Sequence, residues 1–232
     1  MAIDEDILGP QELVRLFSVL SHDLKSPIFS IDGFSELLIG DYNDRLDEEG
    51  QDFLRRIRGS AQQMKRVLDE MALIVKLLSR PTAHKTTSLQ ELIEEVLLKY
   101  NFMIDEGGVQ ISIAPELPTV NVDPEKLRAG VGALVSNALF FNDRPRGERE
   151  VTIDCVSNGS QHRLSIKDNG IGIDPRYTHQ IFDLGLKLDK SRGGGPGYGL
   201  YLARCVAEAH GGAVTVDTEL DQGATFTMTF SA

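Results

Sequence analysis

Residues 21–27 read Ser-His-Asp-Leu-Lys-Ser-Pro and place a histidine directly beside a carboxylate. On a helix, His22 faces solvent while its leucine neighbours face inward, and Ser26 follows one turn later, where side chains at i and i+4 meet. An exposed imidazole with an adjacent carboxylate can act as a nucleophile, with Asp23 as its base. Taken alone, these residues favour an ordinary surface histidine, because most surface histidines have no catalytic role.

Two glycine-rich segments and one asparagine predict a site for a phosphorylated ligand. Residues 168–173, Asp-Asn-Gly-Ile-Gly-Ile, directly follow a predicted strand, and residues 193–200 open a predicted helix. Glycine lets the backbone approach a ligand closely, and a helix N-terminus offers N–H groups to phosphate. Asn137 adds an amide oxygen that can help hold Mg²⁺. Each signal is weak alone because turns also use glycine, and the late glycine run disfavours a dinucleotide-binding fold.

The elements that position these residues fall into two halves. Residues 1 to about 80 predict two long helices, separated near residues 40–45, with acidic residues 47–49 at the favourable start of the second. Apolar stripes follow helical spacing at Leu13, Phe17, Leu20, Leu24, Ile28, Ile31 and Leu38, and as a heptad seam at Phe53, Ile57, Ser60, Met64, Val67, Met71, Ile74 and Leu78. A lone hairpin leaves apolar surface uncovered, which predicts a dimeric four-helix bundle.

The second half alternates between helices and strands, which predicts an α/β sandwich. Ser88 begins a capping box before a helix to about residue 104, and Asp123-Pro124 starts a helix to about residue 141. A further helix is predicted over residues 200–210, and strands over 109–113, 151–156, 163–167, 213–218 and 224–230. His210 ends the last helix and is interpreted as a cation that suits the helix dipole.

Composition narrows the classes of function. The chain has 232 residues, of which 41% are hydrophobic and 25% charged, and a formal net charge of −11. The negative charge argues against binding to nucleic acid and against direct membrane contact, because both surfaces are anionic. No apolar run approaches the ~20 residues of a membrane span. Cys155 and Cys205 lack metal-binding spacing and are interpreted as small buried hydrophobes in a reducing cytoplasm.

In this order and spacing, the motifs resemble those of the transmitter core of bacterial sensor histidine kinases, over essentially the whole chain. Residues 21–27 resemble the H box, the Asn137 segment the N box, Asp168–Ile173 and Gly195–Gly199 the two glycine boxes, Ile181-Phe182 the F box, and residues 208–212 the usual end of the last helix. The resemblance implies an α+β chain. An antiparallel helical hairpin in residues 1–82 would form the dimeric bundle, and a Bergerat-type ATP-binding sandwich would occupy residues 87–232. The polar, proline-bearing residues 80–87 fit a short hinge between them.

The resemblance also implies a reaction at the hairpin. His22 would be autophosphorylated by ATP, with Asp23 as the adjacent general base. The phosphoryl group would then pass to an aspartate of a response regulator receiver, which would dock near residues 32–36 and 52–58. Ser26 stands where the family carries a Thr or Asn that positions water for the reverse, phosphatase reaction.

For the nucleotide, the resemblance implies a second set of contacts. Asp168 would receive the adenine amino group above a floor shaped by Gly170 and Gly172, and Asn137 would coordinate Mg²⁺. A mobile lid over about residues 183–197 would close on the phosphates. The lid and the helix after it supply the other implied contacts, namely Lys187, Lys190, Arg192, Gly195, Gly197, Gly199 and Leu200.

The sequence departs from the family pattern at two N-box positions. Ala133 replaces a further Asn, and Phe140 replaces a Lys that would face phosphate. The F box is also thin, with Gly185 and Leu186 where a second aromatic is expected. Three hypotheses follow: an ATP-dependent histidine kinase; a degenerate, non-catalytic module that docks receivers or relays phosphate; and an ATPase clamp of the chaperone or mismatch-repair type. The clamp would share the nucleotide pocket but would lack an H box on a helical hairpin.

Overall fold

The structure, a computed structural model, describes residues 10–142, 148–188 and 197–231, with side chains from residue 14 onward. The chain divides into two compact units, Met1–Arg80 and Pro81–Ala232. The first unit is helical, and the second contains both sheets, so the α+β class predicted from the sequence is confirmed.

The first unit is a hairpin of two long helices. Helix α1 covers Pro10–Asp41 and helix α2 covers Glu48–Ser79, with one 3-10 turn at Asn43–Arg45 between them. Asp47 caps α2, since its carboxylate accepts the Gly50 N–H at 2.8 Å. This cap satisfies a backbone donor that the helix itself leaves unpaired, which is why the chain turns at this point.

The two helices meet through a narrow apolar contact and a polar one. Ile28 of α1 is buried with Ala61 and Leu68 of α2. The Lys25 ammonium lies 2.8 Å from the Asp69 carboxylate. Further along, Arg58 bridges to two carboxylates of α1, those of Asp32 and Glu36, at 3.4 and 2.5 Å.

Most of the predicted apolar stripe does not take part in this contact. Leu20 and Leu24 are 49% and 48% exposed, and Phe53 and Ile57 of the α2 seam are 52% and 47% exposed. Of the predicted stripe positions, Ile28 and Ile74 are buried, and Ala61 and Leu68, which lie outside the predicted seam, are buried as well. Several apolar side chains of both helices thus stay uncovered, and proteins normally bury such surface against a partner.

The second unit contains two sheets and four helices in the part of the chain that the structure describes. In chain order these are β1 Lys85–Ser88, α3 Leu89–Lys99, α4 Asn101–Gly107, β2 Val109–Ile113, β3 Thr119–Val122, α5 Pro124–Phe140, β4 Arg149–Asn158, β5 Gln161–Asp168, α6 Gly199–Ala209, β6 Val214–Glu219 and β7 Gly223–Ser231. The larger sheet has the order β2-β4-β5-β7-β6, and β1 pairs with β3 in the smaller one. Strands β2 and β4 are parallel, and the other pairs are antiparallel.

One core lies between the larger sheet and the helices. Strand register aligns Ile153, Ile166 and Phe226 across β4, β5 and β7, and all three are fully buried. Helices α5 and α6 pack on this sheet, and α3 packs on α5. Because side chains alternate along a strand, one face supplies this core while the other stays polar.

The structure differs from the sequence prediction in two places. The helix predicted to residue 104 ends at Lys99, and α4 begins at Asn101, because the backbone of Tyr100 leaves the helical region. Strands β1 and β3 were not predicted. Strand β1 pairs Lys85 to Ser88 with the segment from Val122 back to Thr119, so part of the expected hinge belongs to a sheet. Its sequence, Lys-Thr-Thr-Ser, has no apolar alternation that would have indicated a strand.

Candidate functional site

His22 projects from α1 as an exposed imidazole that is paired with a carboxylate. Its side chain is 88% exposed, and the distance from Nδ1 to Asp23 Oδ1 is 3.1 Å. A carboxylate can only accept, so Nδ1 carries the proton in this bond and the lone pair resides on Nε2. The geometry predicted from residues 21–27 is therefore present: an accessible ring nitrogen with a base on the opposite side of the ring.

Ser26 lies one turn after His22 and is also exposed. Its carbonyl oxygen accepts a hydrogen bond from the Ser30 hydroxyl at 3.2 Å. The neighbouring Lys25–Asp69 ion pair braces this turn of α1 against α2. His22, Asp23 and Ser26 thus share one accessible stretch of a helix that its partner helix holds in place.

Asp168 ends β5 as a buried carboxylate, 3% exposed. Its Oδ1 accepts the Gly170 N–H at 2.9 Å. Burial raises the pKa of the Asp168 carboxyl above its usual range, and the backbone hydrogen bonds oppose that effect. The bond to Gly170 fixes the orientation of the carboxylate at the edge of the sheet, where the glycine loop begins.

The two loop glycines are required by close backbone packing. A Cβ atom on Gly170 would lie 2.2 Å from the Phe141 carbonyl oxygen. A Cβ atom on Gly172 would lie 2.0 Å from the Glu219 carbonyl oxygen, and its φ of 66° is in the left-handed region. The loop after Asp168 is therefore pressed between the end of α5 and the turn that joins β6 to β7.

Thr218 ties the same loop to the sheet and was not identified from the sequence. Its hydroxyl accepts the Ile173 N–H at 2.9 Å and donates to the Gly223 carbonyl oxygen at 2.9 Å. A single threonine in a strand carries no sequence signal for such a role. Asn169 and Asn142 were also missed, although Asn169 lies inside the glycine motif.

Asn137 lies half-buried on α5, one turn before Phe141. Within residues 10–142, 148–188 and 197–231, no hydrogen bond engages its side-chain amide. An uncommitted amide oxygen fits Mg²⁺, which takes one or two protein ligands and keeps water and phosphate oxygens for the rest. The residues present are thus compatible with a nucleotide-bound Mg²⁺.

The two unusual N-box residues have defined surroundings. The Ala133 methyl group lies 3.6 Å from where a Cβ on Gly199 would stand, at the first residue of α6. Phe140 contacts Phe141 edge-to-face, with 5.0 Å between ring centroids. Both positions are therefore apolar, where the family pattern would supply polar groups.

A backbone hydrogen bond joins two residues near the ends of the segment predicted as a lid. The Gly185 N–H donates to the Gly197 carbonyl oxygen at 3.2 Å, and Gly197 has a φ of 91°. Lys187 is half-buried beside Gly197. Gly199 begins α6, whose Leu200 packs on the apolar core. Lys190, Arg192 and Gly195 lie outside the described residues.

His210 is not a cation at a helix end, so that interpretation is wrong. The side chain is 3% exposed, its Nε2 accepts the Asp123 N–H at 3.0 Å, and its Nδ1 lies 2.8 Å from the Val206 carbonyl oxygen. These partners require the neutral ring with the proton on Nδ1. Burial lowers the pKa of His210, and the hydrogen bond to the Val206 carbonyl oxygen opposes this effect only in part.

Family models match both units. Residues 12–80 match the His Kinase A (phospho-acceptor) domain. Residues 122–232 match the histidine kinase-, DNA gyrase B-, and HSP90-like ATPase. The chain therefore belongs to the histidine kinases and carries their transmitter core.

Curated relatives extend this likeness over nearly the whole chain. Cyanobacterial phytochrome B of Nostoc sp. is 30% identical over 222 residues, which cover 94% of this chain and 29% of that protein. Sensor protein SrrB of Staphylococcus aureus is 26% identical over 213 residues, which cover 89% of this chain and 36% of that protein. The chain thus spans less than half the length of these relatives.

Solved structures share the fold. The crystal structure of full-length ShkA in complex with AMPPNP superposes with a TM-score of 0.71 at 24% identity, covering 94% of this chain and 46% of that chain. The Acinetobacter baumannii histidine kinase AdeS gives a TM-score of 0.62 at 18% identity, covering 90% of this chain and 97% of that chain. Within the residues described here, no helix is both long and apolar enough to cross a membrane.

Proposed function

We propose that this chain transfers the γ-phosphoryl group of ATP to His22 and then to an aspartate of a response regulator receiver. The observation that carries the proposal is the exposed His22–Asp23 pair on a helical hairpin, in a chain that also contains the ATPase-type domain. The hairpin alone would support only a phosphoacceptor, and the ATPase-type domain alone would support only a nucleotide-binding site. Together they supply a phosphoacceptor and a nucleotide site in one chain.

At the hairpin, Asp23 holds the Nδ1 proton, so Nε2 presents its lone pair to solvent. Nε2 would form a bond to the γ-phosphorus as the bond to the β–γ bridging oxygen breaks, releasing ADP. The ring gains positive charge in this step, and Asp23 stabilises it and accepts the Nδ1 proton. Transfer to a receiver aspartate breaks the nitrogen–phosphorus bond and forms an acyl phosphate.

At the nucleotide site, Asp168 would accept a hydrogen bond from the adenine amino group. Its burial strengthens that bond, because the surroundings have a low dielectric constant. Asn137 would hold Mg²⁺, which when bound offsets charge on the phosphates. Lys187 lies at the base of the predicted lid and would add a cation there.

The proposal includes an assembly. A second copy would cover the exposed apolar face of α1 and α2 and complete a four-helix bundle, as the match to the His Kinase A model supports. The hairpin would comprise residues 1–82 and the catalytic domain residues 87–232, in the cytoplasm. The receiver would dock near Asp32–Glu36 and Asp52–Arg58, and Ser26 would position water if the chain also acts as a phosphatase.

Radiolabel transfer tests the nucleophile. Wild type incubated with γ-labelled ATP and Mg²⁺ should gain label that is acid-labile and base-stable, and His22→Ala should gain none. His179→Ala is the matched control, because that histidine is also exposed and belongs to none of the motifs assigned to the reaction. Label that persists in His22→Ala would overturn the assignment.

The second candidate function is a non-catalytic docking module. Ala133 and Phe140 favour it, because both place apolar groups where phosphate and metal would need polar ones. A thermal shift with Mg-ATP separates the two functions. A ligand at a hundred times its dissociation constant should add about 2.7 kcal/mol. Absence of any shift at millimolar ATP would favour the docking module.

A further inference from the structure

Two asparagine side chains converge on the first residues of β4. Asn169 Oδ1 accepts the Glu150 N–H at 2.9 Å, and its Nδ2 donates to the Glu148 carbonyl oxygen at 2.9 Å. Asn142 Nδ2 donates to the Glu150 carbonyl oxygen at 2.9 Å, and the Asn169 backbone N–H donates to the same oxygen at 3.3 Å. We call Asn142 and Asn169, with the backbone of Glu148 and Glu150, the asparagine clamp.

The clamp joins the two segments that carry the nucleotide residues. Asn142 lies two residues after the end of α5, and Phe141 before it donates its N–H to the Asn137 carbonyl oxygen at 3.0 Å. Asn169 directly follows Asp168. The segments also touch, since the Ile171 N–H donates to the Phe141 carbonyl oxygen at 3.2 Å. Glu150 thus binds the segment after α5 and the glycine loop at once.

Resting on the proposed function, we propose that Asn142 and Asn169 are positioning residues for the nucleotide. By binding the N–H and the carbonyl oxygen of the same residue, Glu150, they set the placement of the Asp168 carboxylate relative to the helix that carries Asn137. Neither asparagine needs to touch ATP for this role. They determine whether one nucleotide can make the adenine contact at Asp168 and the phosphate contact near Asn137 at the same time.

The side chain of Asn142 indicates that the asparagine clamp has a role besides stabilising the fold. Asn142 is 1% exposed, and among the described residues its Oδ1 has no hydrogen-bond partner. A buried unpaired acceptor is costly, and an apolar side chain of similar size would avoid the cost. The asparagine nevertheless donates through Nδ2 to the Glu150 carbonyl oxygen, which is the bond that the proposal requires.

The test compares ATP with ITP, which lacks the amino group that Asp168 would accept. In the full chain, Asn169→Ala should raise the Kd for ATP by about tenfold, the equivalent of one or two lost hydrogen bonds. The Kd for ITP should change much less, so the preference for ATP should shrink. If Asn169 had only a structural role, the substitution would lower the folded fraction and weaken the binding of both nucleotides equally.

Thr229→Val is the matched control. The Thr229 hydroxyl also holds the backbone of one residue by two hydrogen bonds, from the Ala213 N–H at 2.9 Å and to the Ala213 carbonyl oxygen at 3.1 Å. It lies five residues beyond the β7 partner of Asp168, roughly 17 Å along the strand. The control should lower the melting temperature without changing the ATP-to-ITP ratio.

Asn142→Ala provides a second variant with the same expected change in ratio. The double variant should lose less ATP-binding free energy than the two single variants lose in total, because both side chains act on Glu150. A wild type that binds neither nucleotide would refute the proposed function. Wild-type binding with an unchanged ATP-to-ITP ratio in both variants would refute the clamp, as would failure of both variants to fold.

Discussion

Glycine-to-alanine substitutions can separate the two reasons why a glycine is required: close packing and a positive φ. Gly170→Ala would place Cβ 2.2 Å from the Phe141 carbonyl oxygen at an ordinary φ. Gly172→Ala would place Cβ 2.0 Å from the Glu219 carbonyl oxygen at a φ of 66°. Gly108→Ala shares the positive φ, at 59°, but has no atom within 4 Å. Gly170→Ala therefore measures the steric clash alone, Gly108→Ala measures the cost of the positive φ alone, and Gly172→Ala measures both together.

The expected losses follow from these geometries. A left-handed alanine costs about 1–2 kcal/mol, and its lower unfolded-state entropy returns about 0.4–1 kcal/mol, so Gly108→Ala should lose about 1 kcal/mol. Overpacking against backbone costs about 1–3 kcal/mol, which applies to Gly170→Ala. Gly172→Ala carries both and should lose about 3 kcal/mol. At about 2–4 °C per kcal/mol, its melting temperature should fall by about 10 °C.

Calorimetry of the full chain measures these differences, and ATP titration of each variant adds a functional readout. Gly170→Ala should also weaken ATP binding, because the Gly170 N–H orients the Asp168 carboxylate. Gly108→Ala should bind ATP as the wild type does. The reasoning fails if Gly170→Ala and Gly172→Ala melt no lower than Gly108→Ala, since the backbone would then have room for the added carbon.

Three further outcomes are expected. His210 has a folded-state pKa below its usual 6.5, so the unfolded chain binds its proton more readily. Unfolding midpoints should therefore fall as pH drops below about 6.5, and His210→Gln should flatten that dependence; an unchanged profile contradicts this. Asp168→Asn removes a carboxylate whose pKa burial raises, so the ligand-free variant should melt no lower than wild type at pH 7 yet lose its shift with ATP; a retained shift contradicts it. Phe140→Lys should raise the rate of His22 labelling by about tenfold or more, measured by radiolabel transfer, because it restores a cation for phosphate; an equal rate would show that Phe140 does not limit transfer.

Local signals in the sequence predicted the main elements well. The Ser88 hydroxyl accepts the Glu91 N–H at 3.3 Å, and the Asp123 carboxylate accepts the Lys126 N–H at 3.0 Å, as the two capping patterns require. The heptad spacing of α2 predicted a helix with an apolar face. These features depend on residues within one or two turns of each other, which is the range that a sequence pattern reports.

Features that depend on distant partners could not be predicted. His210 is neutral because the Asp123 N–H, 87 residues earlier, donates to it, and nothing near His210 indicates that partner. The convergence of Asn142 and Asn169 on Glu150 likewise needs the sheet register to be known. The heptad spacing predicted that a lone hairpin leaves apolar surface uncovered, but it could not identify which residues the two helices bury against each other.

The residues that follow α2 are attached to the second unit. Ala83 donates its N–H to the Asp123 carboxylate at 2.9 Å, and the Lys126 ammonium donates to the Thr82 hydroxyl at 3.0 Å. Strand β1 continues this attachment from Lys85. Residues from Thr82 onward are therefore part of the second unit, contrary to the hinge expected over residues 80–87.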